Sequence, residues 1–274
     1  MINVSSKTRK IIRLARKSLG LTPPGRRVRV KNSDTFVTSY PKSGNTWVRF
    51  LVANMLFPDG TTDFKNINTR VPDIYTLPTR KLGTIPEPRI LKSHEYFDPR
   101  YRKTLYIVRD VRSVLVSYYH HMKLSGRIDS STSIDEFADL FMSGAADSFG
   151  DWRDNVTSWV KVREESVDSF RMLKYEDIIT DPYSSCVKIY EFLNLEFAES
   201  DVHRSLELSD FGRMKKLESK GIDASVLART AGKPATGYIR AGKADGWRDE
   251  IPTATLEKLN EKYKDLLLEL GYSV

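Results

Sequence analysis

Short apolar runs alternate with segments of helical spacing along this chain. Thr35–Ser39 (TFVTS), Arg89–Lys92 (RILK), Thr104–Val108 (TLYIV) and Phe170–Lys174 (FRMLK) have strand length and are rich in apolar or β-branched residues. Trp47–Leu56 is apolar over most of its length and reads as a helix directly after the first strand. Asp151 is placed to cap a helix whose Trp152, Val156, Trp159 and Val160 share one face. Leu256, Leu259, Tyr263, Leu266 and Leu270 repeat at helical period, and Gly271 ends that run. This alternation predicts an α/β fold with a central, mainly parallel sheet flanked by helices, and ligands at the carboxyl ends of its strands. Between Leu208 and Gly246 the pattern dissolves into Gly, Lys, Arg, Ser and Thr, which predicts a long structureless lid or binding loop.

Composition narrows the class without naming a function. A chain of 274 residues, 40% hydrophobic and 29% charged, suits one large α/β domain of ordinary soluble type. The single cysteine, Cys186, forms no internal disulfide and fits a reducing, cytoplasmic compartment. No apolar stretch is long enough to cross a bilayer. The net charge of +8 is concentrated: residues 1–33 hold ten of the 44 Lys and Arg and no acid, so the remaining 34 bases face all 36 acids. Residues 1–33 therefore read as a basic arm and 34–274 as a near-neutral domain, which argues against a broad nucleic-acid-binding face. As a helix, RKIIRLARKSLGL is basic and amphipathic, suited to weak contact with an anionic membrane surface or, as a second choice, to a transit peptide. The other reading is a terminal helix with solvated lysines.

The sharpest chemical feature is strand–turn–helix: TFVTSY, PKSGNT, WVRFLVANML. A glycine-bearing turn that opens a helix aims backbone N–H groups and the positive helix end at an anion. Lys42 adds a mobile charge, Ser43, Asn45 and Thr46 add short donors, and Gly44 permits close approach. The Walker A spacing is absent. The residues alone therefore point to an oxyanion or a nucleotide phosphate.

SYPKSGNTW resembles the 5′-phosphosulfate motif of sulfotransferases that use 3′-phosphoadenosine 5′-phosphosulfate (PAPS), the cytosolic type in particular. RDVRSVLVSYYH resembles their 3′-phosphate segment, which implies Arg109 and Ser117 as its ligands. LKSHEYF resembles the strand end that carries the catalytic histidine, here His94, and Lys92, two residues earlier on the same strand face, takes the family's role near the sulfuryl group. LKYEDIITDP and SDFGRM imply Tyr175 and Phe211 as adenine contacts, with Trp47 as a further aromatic wall and Ser209 and Met214 beside them. IRAGKADGW resembles the C-terminal 3′-phosphate loop, matching at Arg240, Gly242 and Trp247. Departures are Asn45 where threonine is usual, Ala241 in place of a lysine, and the inverted order Asp245-Gly246. After Arg248, DEIPTATLE matches the dimerisation motif of the animal enzymes poorly, so no dimer is inferred.

The resemblance spans Thr35 to Trp247 and implies a single P-loop-like domain that moves a sulfuryl group from PAPS to an acceptor hydroxyl, releasing PAP. Lys42, Lys92 and His94 are then the catalytic set, with His94 as base, and no metal is required. A small phenol or alcohol is the favoured acceptor, in a pocket drawing on Phe64, Tyr75, Phe137, Phe141 and Phe149. His120 and His121 read as packing or surface residues. Two rival readings remain: a P-loop kinase or NTPase, which predicts Mg²⁺ dependence, and a non-enzymatic membrane-surface or nucleic-acid-binding protein acting through the arm.

Overall fold

The computed structural model describes residues 28–161, 169–219 and 245–274. Its centre is a four-stranded, all-parallel sheet of β1 (Thr35–Ser39), β2 (Ile90–Ser93), β3 (Lys103–Val108) and β4 (Phe170–Lys174), in the order β2-β1-β3-β4. The register sets Val37 beside Lys92 on one side and Leu105 on the other. Alternate side chains of each strand feed two cores. Phe36, Leu91, Tyr106 and Val108 belong to one; Val37, Leu105, Ile107 and Leu173 belong to the other. Burial on both faces explains the nearly continuous apolar runs of these strands.

On the second core lie α1 (Asn45–Leu56), α8 (Pro182–Leu193) and α9 (Glu199–Leu208). On the first lie α4 (Val111–Leu124), α5 (Ile134–Met142), α6 (Trp152–Val160) and α11 (Thr253–Glu269). Short helices α2 (Ile67–Arg70), α3 (Thr79–Gly83) and α7 (Tyr175–Thr180) join these layers, and α10 is Phe211–Ser219. Asp151 accepts the Arg153 N–H at the start of α6, and Gly271, at φ 72°, closes α11, both as the pattern predicts.

Four features differ from the sequence reading, the first being that β3 begins one residue early, at Lys103. α1 begins two residues early, at Asn45. β2 is shifted by one residue, to Ile90–Ser93, and the Arg89 guanidinium just before it is buried against Asp34 (Nε–Oδ1 2.7 Å) and the Leu82 carbonyl (2.7 Å). The segment expected to lack structure after Leu208 is helical at Phe211–Ser219, where Phe211, Met214 and Leu217 recur every third residue and pack on the second core. Residues 220–244, which include Arg240 and Gly242, lie outside the described residues. Of the arm, residues 1–27 also lie outside them; Val28 is buried in the first core and the Arg29 carbonyl accepts from Arg89 (3.0 Å). No helix among the described residues is long and apolar enough to cross a membrane.

Candidate active site

A parallel sheet ends all its strands on one edge, and each of these strands delivers a site residue there at once. Tyr40 opens the loop after β1, His94 follows β2, Arg109 follows β3, and Tyr175 follows β4. Because β1 is central, its loop lies between His94 on one side and Arg109 with Tyr175 on the other.

The loop after β1 is held in an unusual backbone path. Lys42 has φ 71° and Gly44 φ 94°. A Cβ on Gly44 would lie 2.2 Å from Cδ2 of Tyr175, so only glycine lets that ring close over the loop. No side chain caps the start of α1, and its first turn holds no acid. Ser43 is fully buried, and its hydroxyl has no hydrogen-bond partner among the described residues. A buried donor without a partner, beside an uncapped helix start, suits an anion that supplies the missing acceptor. The Asn45 Nδ2 donates to the Val37 carbonyl (3.1 Å) and the Ser39 hydroxyl (3.2 Å), fixing α1 to β1.

Arg109, 8% exposed, donates from Nη1 to the Lys42 carbonyl (3.2 Å), and its guanidinium lies 4.3 Å from the Tyr175 ring centroid. It thus ties the ends of β1, β3 and β4 together. Burial raises the Tyr175 phenol pKa, and the Arg109 charge partly offsets that. The Trp47 indole N–H donates to the Ser209 carbonyl (2.7 Å), while the Ser209 hydroxyl accepts from Asn54 (3.0 Å).

His94 is fixed at three points. Its N–H donates to the Tyr75 hydroxyl (2.9 Å), its carbonyl accepts from Asn155 (3.1 Å), and Nδ1 donates to the Ser39 carbonyl (2.8 Å). A carbonyl oxygen only accepts, so in the neutral ring Nδ1 carries the proton and Nε2 is the basic nitrogen. The ring stacks with Tyr75 (6.0 Å between centroids) and meets Phe149 edge-on (5.4 Å). Burial and the Glu95 carboxylate raise the Tyr75 phenol pKa, so its proton stays available for the 2.8 Å bond to Glu95.

Lys92, on the strand face expected for it, forms a buried ion pair with Asp73 (3.1 Å). Asp73 reaches it through the segment Pro72–Ile74, which runs beside β2 (Lys92 N–H to Pro72 O 2.8 Å; Ile74 N–H to Lys92 O 3.2 Å). Sequence reasoning passed over Asp73, since nothing local marks a carboxylate 19 positions away as the partner of a strand lysine.

One cavity of about 690 Å³ collects these groups. Lys42, Gly44, Asn45, Thr46, Trp47, Lys92, His94, Arg109, Ser117, Tyr175, Phe211 and Met214 line it, as do Phe64, Tyr75 and Phe149. Ser43 and Ser209 are fully buried behind the lining. Phe137 and Phe141 are also fully buried, as members of the first core against Tyr118. They are core rather than acceptor wall, because α5 turns its apolar stripe inward. His121, read as packing or surface, lines the cavity, while His120 pairs with Glu250.

The family model of the sulfotransferase domain matches residues 32–271. The chain belongs to the sulfotransferase family. Among curated relatives of this sulfotransferase are Sulfotransferase 1 family member D1 of Mus musculus, 29% identical over 84% of this chain and 82% of the relative, and Sulfotransferase 2B1 of the same species, 27% identical over 86% and 72%. Its fold is shared with retinol dehydratase bound to androsterone and PAP (TM-score 0.71, 21% identity, 88% of this chain and 82% of that one). Mouse sulfotransferase SULT7A1 bound to PAP is similar too (TM-score 0.67, 22% identity, 88% and 85%). The kinase and purely non-enzymatic readings fall with this membership.

Proposed function

We propose that this sulfotransferase takes its sulfuryl group from PAPS and delivers it to an acceptor hydroxyl, with His94 as the base. The observation that carries the reading is the Nδ1 bond of His94 to the Ser39 carbonyl, which assigns Nε2 as the basic atom in the cavity shared with the β1 loop. The residues present fit the donor: the uncapped start of α1, the Lys42 side chain at the cavity and the buried Ser43 hydroxyl, without a partner among the described residues, suit its 5′ anion, while Gly44 lets the Tyr175 ring close over the loop. Trp47, Tyr175 and Phe211 offer aromatic faces for adenine, and Arg109 with Ser117 suits the 3′-phosphate. Arg240 and Gly242 are proposed to complete that pocket.

PAPS supplies a sulfuryl group that passes to the acceptor oxygen as its bond to the PAP oxygen breaks. His94 Nε2 receives the acceptor's proton as the new S–O bond forms. Lys42 and Lys92 stabilise negative charge on the departing oxygen and the moving group, which lowers the barrier because that charge grows in the transition state. Phe64, Tyr75 and Phe149 favour an acceptor with an apolar or aromatic body, a small phenol or alcohol. The test is PAP release from PAPS, without added metal, over separate pools of phenols, alkyl alcohols, saccharides and lipids. Turnover with phenols or alcohols supports the reading. Turnover with saccharides or lipids alone overturns the acceptor class, and failure to bind PAP overturns the donor.

A further inference from the structure

Behind Arg109 lies a cluster that no step above uses. Arg112, in the first turn of α4, is 3% exposed. Its guanidinium forks onto the Asp110 carboxylate (Nε–Oδ1 2.9 Å, Nη2–Oδ2 2.6 Å), donates to the Ser273 carbonyl (2.8 Å) and lies 4.4 Å from the Trp247 ring centroid. Asp110 directly follows Arg109, and its backbone N–H donates to Glu176 Oε1 (3.1 Å). Glu176 directly follows Tyr175, and its other oxygen accepts from the Tyr272 hydroxyl (2.8 Å). The stacked pair Arg109–Tyr175 therefore sits on a continuous hydrogen-bonded support.

We propose that Arg112 and Glu176, with Tyr272, brace Arg109 for the nucleotide's 3′-phosphate. A guanidinium recognises a phosphate through paired bonds whose strength depends on its aim, and that aim is set by groups holding its backbone. Both sides of Asp110 are held here: the N–H by Glu176 and the carboxylate by Arg112. The Trp247 ring, stacked on the Arg112 guanidinium, adds the segment from residue 245 onward to the same support. Arg112, Glu176 and Tyr272 are positioning residues, absent from the cavity lining. The inference rests on the reading of Arg109 as the 3′-phosphate ligand.

The test compares the affinity of the full chain for PAP with that for adenosine 5′-monophosphate, which lacks the 3′-phosphate. Arg109→Gln should bring the PAP/AMP ratio close to one. Tyr272→Phe removes a single hydroxyl and should lower the ratio about fivefold. Arg112→Lys keeps the charge but loses the fork, and should lower it about tenfold. Neither should change AMP affinity, and neither should lower the ratio further in the Arg109→Gln background. Thermal midpoints show which variants are folded; if Arg112→Lys is not, Tyr272→Phe decides. An unchanged ratio in Arg109→Gln overturns the reading of Arg109 and the brace with it. A collapsed ratio there, with PAP and AMP affected equally or not at all by Tyr272→Phe, overturns the brace alone.

Discussion

The cavity has two linked groups of walls that are built by different means. Around the β1 loop, the walls are strand ends and backbone: Lys42, Gly44, Arg109 and Tyr175 lie within five residues of a strand and contact one another directly. Around Tyr75, the walls come from connections. Asp73 and Tyr75 lie between α2 and α3, and Phe149 lies between α5 and α6. The first group is fixed by the sheet register; the second is fixed by side-chain bonds such as Asp73–Lys92 and Tyr75–Glu95. If the first group holds the donor and the second the acceptor, as proposed, the fold sets one site by topology and the other by loops and can keep its donor while its acceptor varies.

His94 stands where the two groups meet, so its removal should separate them most sharply. His94→Ala is expected to cut turnover by about 10²–10⁴-fold while PAP affinity is unchanged. Calorimetry with PAP and steady-state rates on the acceptor found in the pool assay would check this; retained turnover would remove His94 as base.

Asp73→Asn tests the connection side. The pair is buried on both partners (7% and 9% side-chain exposure), and removing one charge strands the other. Loss of about 3 kcal/mol of stability is expected from urea unfolding. The double variant Asp73→Asn/Lys92→Gln should regain most of that loss, because no charge is then left alone. If the two single losses add in the double variant, the pair does not act as a unit.

The same division governs what could be read from the sequence. The four strands and the residues after them were legible because a buried parallel strand, a turn glycine and a helix start leave marks within a few positions. The burial of Arg89 was not legible, since its partner Asp34 lies 55 positions away and is supplied by packing. Phe137 and Phe141 could not be told from acceptor walls, because helical spacing shows that they share a face but not what that face meets. Asp73, Glu176 and Tyr272 carry no local signal; their partners are 19 to 96 positions away and are supplied by packing alone.

Gly44→Ala probes the donor side at its tightest contact. The added methyl would press on the Tyr175 ring while φ 94° strains any residue other than glycine. A left-handed non-glycine residue costs roughly 1–2 kcal/mol before the clash is counted. Urea unfolding is expected to show that loss, and PAP affinity is expected to fall about tenfold if the displaced loop costs binding a further ~1.4 kcal/mol. Unaltered PAP binding would mean that the ring is free to move and does not define the loop.

The smallest expected effect is electrostatic and lies beneath the donor side. Burial raises the Glu176 carboxyl pKa above its ordinary value; the Tyr272 bond, the Asp110 N–H and the Arg109 charge offset this in part. A carboxyl with a raised folded-state pKa binds its proton more tightly folded than unfolded. Stability therefore falls as pH rises from the unfolded carboxylate range through the folded value, and is flat above it. Glu176→Gln removes that slope while keeping an oxygen for the Asp110 N–H and an amide that can donate to the Tyr272 oxygen. The variant's stability relative to wild type should thus rise with pH across that window and stay level above it, as followed by urea unfolding at a series of pH values. A difference that falls with pH would mean that Glu176 is held ionised by its neighbours, the Tyr272 and Asp110 bonds and then the Arg109 charge together outweighing burial in this support.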